Sequence, residues 1–177
     1  MKFYFVKDPY IAHLRAIDSM VPPNYGETRP FVGVMLKVGV RDYLAPLTSH
    51  KPKHDAIKNG APTIFKLHEP GNPSNKLGMI QINNMIPVAD GQAVLLDIQA
   101  ESVKYQNLLG HQLAFIKSNQ DAIKSRADKL YKLVVVDKHP HWSKLSCRFL
   151  ELEAACTAFE LAQAQPQPAA TGQENAV

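Results

Sequence analysis

The sequence predicts an α+β fold in a single domain, with antiparallel sheet ahead of Ser102 and helices after it. Three observations carry this reading. Short apolar runs broken by Pro, Gly, Asn and Asp fill the chain as far as Ile98, and from Ser102 the apolar spacing changes to three and four residues. The length of 177 residues suits one hydrophobic core. With 45% hydrophobic and 20% charged residues, the chain can offset the entropy of ordering itself, which excludes global disorder.

Lys2 to Val6 is short, aromatic and stopped by Pro9, the pattern of an opening strand. Tyr10, Ile11, Leu14 and Ile17 then repeat at helical spacing up to Asp18, and Val21-Pro22-Pro23-Asn24 ends that helix because proline donates no backbone hydrogen bond. Tyr25 to Arg29 reads as a loop. Pro30 to Val38 and Asp42 to Leu47 flank Gly39-Val40-Arg41 with the spacing of an antiparallel hairpin. Thr63 to Leu67, Leu77 to Ile82 and Ala93 to Ile98 continue the strands, separated by Glu69 to Asn75 and by Asp90-Gly91.

Leu108, Leu109, Gln112, Leu113, Phe115 and Ile116 mark one helix, and Ile123, Ala127, Leu130, Leu133 and Val134 a second. Val134-Val135-Val136 is kept in that helix because it continues the Leu130-Tyr131-Leu133 stripe. Trp142 to Gln163 reads as a third. The single domain is placed at residues 1–162. Residues 163–177, rich in Ala, Gln and Pro, are expected to be a disordered tail.

Twenty Lys+Arg against sixteen Asp+Glu give a formal net charge of +4, which favours anionic partners such as nucleic acid without establishing one. Cys147 and Cys156 lack CxxC spacing and read as reduced, partly buried thiols. No secretory leader is seen, and no apolar run approaches the roughly 20 residues of a membrane span. A soluble, cytoplasmic protein without membrane contact is therefore expected.

The basic excess concentrates between Lys37 and Lys66: Lys37, Arg41, Lys51, Lys53, Lys58 and Lys66, with His50 and His54, face only Asp42 and Asp55. At its centre a strand ending at Leu47 opens into Thr48-Ser49-His50-Lys51-Pro52-Lys53-His54. Hydroxyls and backbone N–H groups there can hydrogen-bond phosphate oxygens, while a lysine supplies the charge that stabilises a phosphorane. On composition alone, a charged turn after a strand is more often simply solvated. His50 and His54 stand four apart, half a zinc site if helical, but Pro52 opposes that helix and no third ligand has informative spacing, so no metal or cofactor is expected. A non-catalytic RNA-binding module would use the same basic surface to bind without cutting, and a protein-interaction domain would show no RNA affinity.

Several segments fit one family together: Lys2-Phe3-Tyr4, Val21-Pro22, Tyr25 ahead of Arg29-Pro30-Phe31-Val32-Gly33-Val34, Tyr43-Leu44-Ala45-Pro46-Leu47-Thr48-Ser49 with Lys51 and His54, Phe65-Lys66-Leu67, Leu77-Gly78-Met79-Ile80, and Asn83-Asn84-Met85-Ile86-Pro87-Val88. From Lys2 to about Val136 the chain resembles the ToxN/AbiQ family, the toxins of type III toxin–antitoxin systems. The resemblance implies a strongly bent antiparallel sheet, barrel-like as in plasmid-maintenance RNase toxins, with helices packed around it.

It also implies a metal-independent endoribonuclease of abortive-infection and phage-defence systems, in which the 2′-hydroxyl attacks the adjacent phosphate to leave a 2′,3′-cyclic phosphate and a 5′-hydroxyl. Ser49 matches the family's catalytic serine, binding the scissile phosphate or helping to move the 2′-hydroxyl proton. Thr48 would donate to a non-bridging oxygen, and Lys51 would neutralise phosphorane charge. Tyr25 and Arg29 match polar positions before the second strand, suited to stacking on a base and clamping phosphate. His54 is a candidate proton acceptor by its titration range. Lys37, Arg41, His50, Lys53, Lys58 and Lys66 are the RNA contacts expected. The partners implied are cellular or phage RNA as substrate and a small, repetitive, pseudoknotted RNA antitoxin, joined in a higher-order protein–RNA assembly.

Overall fold

The computed structural model describes residues 1–26, 30–38 and 41–164. Residues 27–29, which include Arg29, residues 39 and 40, and residues 165–177, most of the expected tail, lie outside the described residues. Strand β1 (Lys2–Val6) leads into helix α1 (Asp8–Ile17). Pro9 sits in the first turn, where its missing N–H costs nothing, and Asp8 and Arg15 complement the helix dipole at opposite ends. Beyond α1 the carboxylate of Asp18, 4% exposed, accepts the backbone N–H groups of Met20 at 2.9 Å and of Arg148 at 2.7 Å. A buried acceptor so used ties the helix exit to the C-terminal half.

The hairpin forms as expected: β2 (Phe31–Val38) pairs antiparallel with β3 (Arg41–Thr48), with a register shift between Val32 and Leu36. β4 (Ile64–Glu69) and β5 (Asn72–Gln81) make a second hairpin, turned at Pro70-Gly71. The stretch from Glu69 to Asn75, whose Pro, Gly and Asn content suggests a loop, is mostly strand. Two short strands, β6 (Ile86–Pro87) and β7 (Ala93–Leu95), complete the sheet; β6 is too short to leave a periodic signal.

The strand order is β4-β5-β3-β2-β1-β7, with β6 also on β3. One edge of β3 is shared: Tyr43 and Leu44 pair with β6, whereas Leu47 and Thr48 pair with Ile80 and Met79 of β5. The sheet therefore changes partners along β3 and bends there. β4 and β7 stand at opposite ends of the path and do not pair among the described residues; the bent antiparallel sheet with packed helices is as expected, and closure of its ends is not seen there.

After a single turn at Ile98–Ala100 come α2 (Val103–Ser118) and α3 (Gln120–Tyr131). Lys132–Val136 continues α3 as a π-helical turn, which keeps the valines helical as read. The third predicted helix is two, α4 (Pro140–Lys144) and α5 (Phe149–Ala164), with Leu145 to Arg148 between them. Asp18, which accepts the Arg148 N–H at that break, is remote in sequence and leaves no local signal of it. α5 continues through Gln163 and Ala164, past the boundary placed at 162.

The core joins Phe3, Tyr10 and Leu14 to Phe31, Tyr43 and Leu44, and then to Leu109, Ile123, Phe149 and Leu152 of the helices. Tyr43 is wholly buried, and its hydroxyl and that of Tyr131 both donate to Glu153, the latter at 2.9 Å. Both phenols are held above their usual range by burial and by that carboxylate, Tyr131 at about 12. Cys147 and Cys156 are free and buried, and burial pushes the Cys147 thiol up to about 12.

Candidate active site

β3 ends at Thr48, and a close approach from β5 fixes where the chain leaves the sheet. An added Cβ at Gly78 would lie 2.4 Å from the Thr48 carbonyl oxygen, and Gly78 has φ +133°. Only glycine lets β5 approach the end of β3 this closely. Ser49 is exposed, and its hydroxyl has no protein partner among the described residues.

The chain then closes a tight helical turn at Pro52–His54. The His54 backbone N–H donates to the Lys51 carbonyl at 2.8 Å, and the Lys51 backbone N–H donates to the His54 ring at Nδ1, 3.1 Å away. His54 is 7% exposed, while Lys51 and Lys53 are exposed. Burial first, then the charges of Lys53, His50 and Lys51, hold the His54 imidazole below its usual pKa. The ring is neutral at neutral pH, with Nδ1 accepting and Nε2 carrying the proton.

Thr48, Lys51, Lys53 and His54 line one polar cleft of about 440 Å³. Its opposite wall is the α1 exit, from Arg15 and Ser19 to Pro23, and its floor includes Gln81 and Asn84. Asn84 donates to the Met20 carbonyl at 2.8 Å, and Arg15 to the Val21 carbonyl, so the two walls are fastened to each other and to α1. Residue-type reasoning misses Arg15, Gln81 and Asn84, although the Asn83-Asn84 motif points to the last of them.

On the other side of His54 lies a second cleft of about 410 Å³, which brings together His50, Lys58 and Lys66. Asp55 organises its rim: the carboxylate accepts from Lys76 at 2.8 Å and from His50 at 2.9 Å, and its backbone carbonyl accepts from Lys66 at 3.4 Å. Lys76 first, then His50, holds the Asp55 carboxyl down to about 2. The sequence singles out neither Asp55 nor Lys76, because each gains its meaning from a contact between loop and strand.

The remaining site expectations are more dispersed. Tyr25 is 65% exposed, with φ 53° in the left-handed region, in the loop before β2; Arg29 lies outside the described residues. Lys37 is exposed on β2, where its Cα partner is Asp42. Arg41, expected among the RNA contacts, points its guanidinium at α5, to Glu160 at 3.3 Å and to Thr157. Among the described residues no group of three or more His, Cys, Asp or Glu is arranged to hold a metal ion, and no helix is long and apolar enough to cross a membrane.

Residues 2–157 match the family model described as toxin ToxN, type III toxin–antitoxin system. Endoribonuclease ToxN of Pectobacterium atrosepticum is 39% identical over 158 residues, which cover 86% of this chain and 90% of that protein. Endoribonuclease AbiQ of Lactococcus lactis subsp. lactis is 34% identical over 164 residues, 90% of this chain and 89% of that one. Among solved structures, one from work on a processed non-coding RNA that regulates a bacterial antiviral system superposes with a TM-score of 0.82 at 37% identity, covering 90% of this chain and 99% of that one. Another, from work on selective toxin inhibition by a non-coding RNA pseudoknot, gives a TM-score of 0.79 at 32% identity, covering 90% and 97%.

Proposed function

The chain belongs to the ToxN family of type III toxin–antitoxin endoribonucleases, and from that premise we propose how it cuts RNA and what silences it. The ribose 2′-oxygen attacks the adjacent phosphorus, the bond to the 5′-oxygen of the next nucleotide breaks, and the ends are a 2′,3′-cyclic phosphate and a 5′-hydroxyl. No metal ion takes part in this reading, because the nucleophile is internal and lysine supplies the positive charge.

The observation that carries the proposal is the shared cleft of Thr48, Lys51 and His54 beside the exposed, unpartnered Ser49. Ser49 holds the scissile phosphate or relays the 2′-hydroxyl proton. Thr48 donates to a non-bridging oxygen. Lys51 offsets charge on the phosphorane, where loss of one preorganised donor typically costs about 3 kcal/mol. His54, with Nδ1 already accepting, offers Nε2–H as a donor to phosphate rather than a lone pair for the 2′-hydroxyl proton. Tyr25 and Arg29, ahead of β2 in the sequence, contact the substrate, and Lys37, Lys53, Lys58 and Lys66 bind flanking phosphates.

The inhibitor is a small, repetitive, pseudoknotted RNA that follows the same basic surface and occupies the cleft, in an assembly of several protein and RNA copies. Non-coding RNA regulation in two structural relatives supports this partner. The test is incubation of purified protein with single-stranded RNA in EDTA, followed by end mapping. Cyclic-phosphate and 5′-hydroxyl ends that vanish in Ser49→Ala are expected. Intact RNA with retained binding would return the chain to a non-catalytic RNA-binding module.

A further inference from the structure

The 410 Å³ cleft beyond His54 has a composition that phosphate binding does not explain. Ile57 and Met79 give it an apolar side, while Lys58, Lys66 and Asn59 supply polar groups. A purely ionic site for backbone phosphates needs no such wall. A pocket of a few hundred Å³ with apolar sides and a few directed polar atoms suits a small planar ligand with an anionic attachment.

The charge of the cleft also points one way. Among the described residues the only carboxylate on the lining is Asp55, already engaged by Lys76 and His50, so the lysines across from it retain uncompensated positive charge. His68 lines the same cleft, and its Nδ1 is buried without a protein partner among the described residues. An unpaired buried ring nitrogen is costly unless something bound there completes it.

His54 contributes to the walls of both cavities, so an occupant of this cleft sits one imidazole away from the cleft that holds Thr48 and Lys51. We propose that this second cleft is a subsite for one unpaired nucleotide next to the scissile phosphate, with the base against Ile57 and Met79, its edge at Asn59 and His68, and its phosphate at Lys58 and Lys66. The inference rests on the endoribonuclease reading above and adds to it the place where sequence preference arises. Single-stranded RNA is read by splayed bases held against side chains, and the two neighbouring cavities provide for such a kink.

The test uses the full chain and a randomised single-stranded RNA pool, with cut sites mapped from the 5′-hydroxyl ends. Ala56 is exposed and on the cleft lining, so Ala56→Trp fills the pocket from a loop position. Asn59→Ala removes a group assigned to the base edge without adding bulk and carries the test if the tryptophan variant folds poorly. In either variant, preference at a single position flanking the cut should weaken on the order of tenfold, with preferences elsewhere unchanged. Unaltered preference at every position in a folded variant overturns the subsite.

A second readout does not depend on cleavage. Titration of Ser49→Ala with adenosine 3′-monophosphate and uridine 3′-monophosphate should shift the backbone amide signals of Ile57 and Met79, and Ala56→Trp should abolish the shift. Absence of cleavage by the native protein together with such shifts would sink the nuclease reading and leave a nucleotide site. Cleavage without shifts, and with unchanged preference in the variants, would sink the subsite alone.

Discussion

The ring of His54 accepts the backbone N–H of Lys51 at Nδ1, 3.1 Å away, while the His54 backbone N–H donates to the Lys51 carbonyl at 2.8 Å. This two-way link makes His54 a strut for the lysine as well as a wall of the cleft. The two functions can be separated by substitution. Asparagine places its oxygen near Nδ1 and can keep the strut; glutamine places its amide near Nε2 and can keep the donor. His54→Asn should retain stability but lose activity through kcat, and His54→Gln should retain more of kcat while lowering the urea midpoint by about 1 kcal/mol of stability. Single-turnover cleavage and urea unfolding of both variants check this. Equal losses in both measurements would mean that the ring only fills space.

The pH dependence of stability derives from the same ring. A histidine whose folded pKa lies below its unfolded value favours the neutral form in the native state. Its contribution is present above the unfolded pKa of about 6.5 and is lost as pH falls through the lower folded value. Asp55 has the opposite chemistry but the same sign: depressed from 3.8 to about 2, it contributes above 3.8 and is lost only as pH falls toward 2. Between pH 7.5 and 5.5 the native protein should therefore lose stability relative to His54→Asn. Asp55 stays ionised across that range, so its own titration adds no slope there. Urea midpoints measured at half-unit pH steps distinguish the two curves.

Much of this architecture is legible in the sequence because its signals are local. Alternation and turn residues locate β1, the first hairpin and β4, and helical spacing locates α1, α2 and α3. The basic loop is visible as a cluster of residue types, and Thr48, Lys51, Lys53 and His54 do share a cleft. The misses have a common cause. β6 and the break between α4 and α5 depend on partners far along the chain, such as β3 and the Asp18 carboxylate. Arg41 looks like its basic neighbours, yet α5 brings Glu160 to it across 119 residues. The role of Asp55 depends on Lys76, on a strand formed after it.

Gly78 sets the position of Thr48, so it connects the fold to the site. Alanine there would place a methyl group 2.4 Å from the Thr48 carbonyl oxygen at φ +133°, and backbone rather than a flexible side chain would have to move. The unfavourable dihedral alone costs about 1–3 kcal/mol. Gly78→Ala should lower stability by at least that much and reduce cleavage, because the shift falls on the residue before Ser49. Gly110 in α2 supplies the contrast: nothing lies within 4 Å of its added Cβ, and alanine at an exposed helix position should stabilise by about 1 kcal/mol. Thermal melts of the two variants, with cleavage rates, test the pair.

Arg41 and Lys53 are both basic, and the structure gives them different tasks. The Arg41 guanidinium is bound to Glu160 and Thr157 of α5 and is close to Cys156, whereas Lys53 is exposed on the lining of the cleft. A cation paired within the protein releases few counterions from RNA, but a free one at the groove releases about one per phosphate neutralised. Lys53→Ala should thus weaken RNA binding at low salt and reduce the slope of log affinity against log salt by about one. Arg41→Ala should leave that slope nearly unchanged and instead lower the unfolding midpoint, by up to about 1 kcal/mol for a partly exposed pair. Binding isotherms of Ser49→Ala carrying each substitution, taken at several salt concentrations, decide between them. A slope change in the Arg41 variant as large as that in the Lys53 variant would mean that the guanidinium leaves α5 to meet RNA.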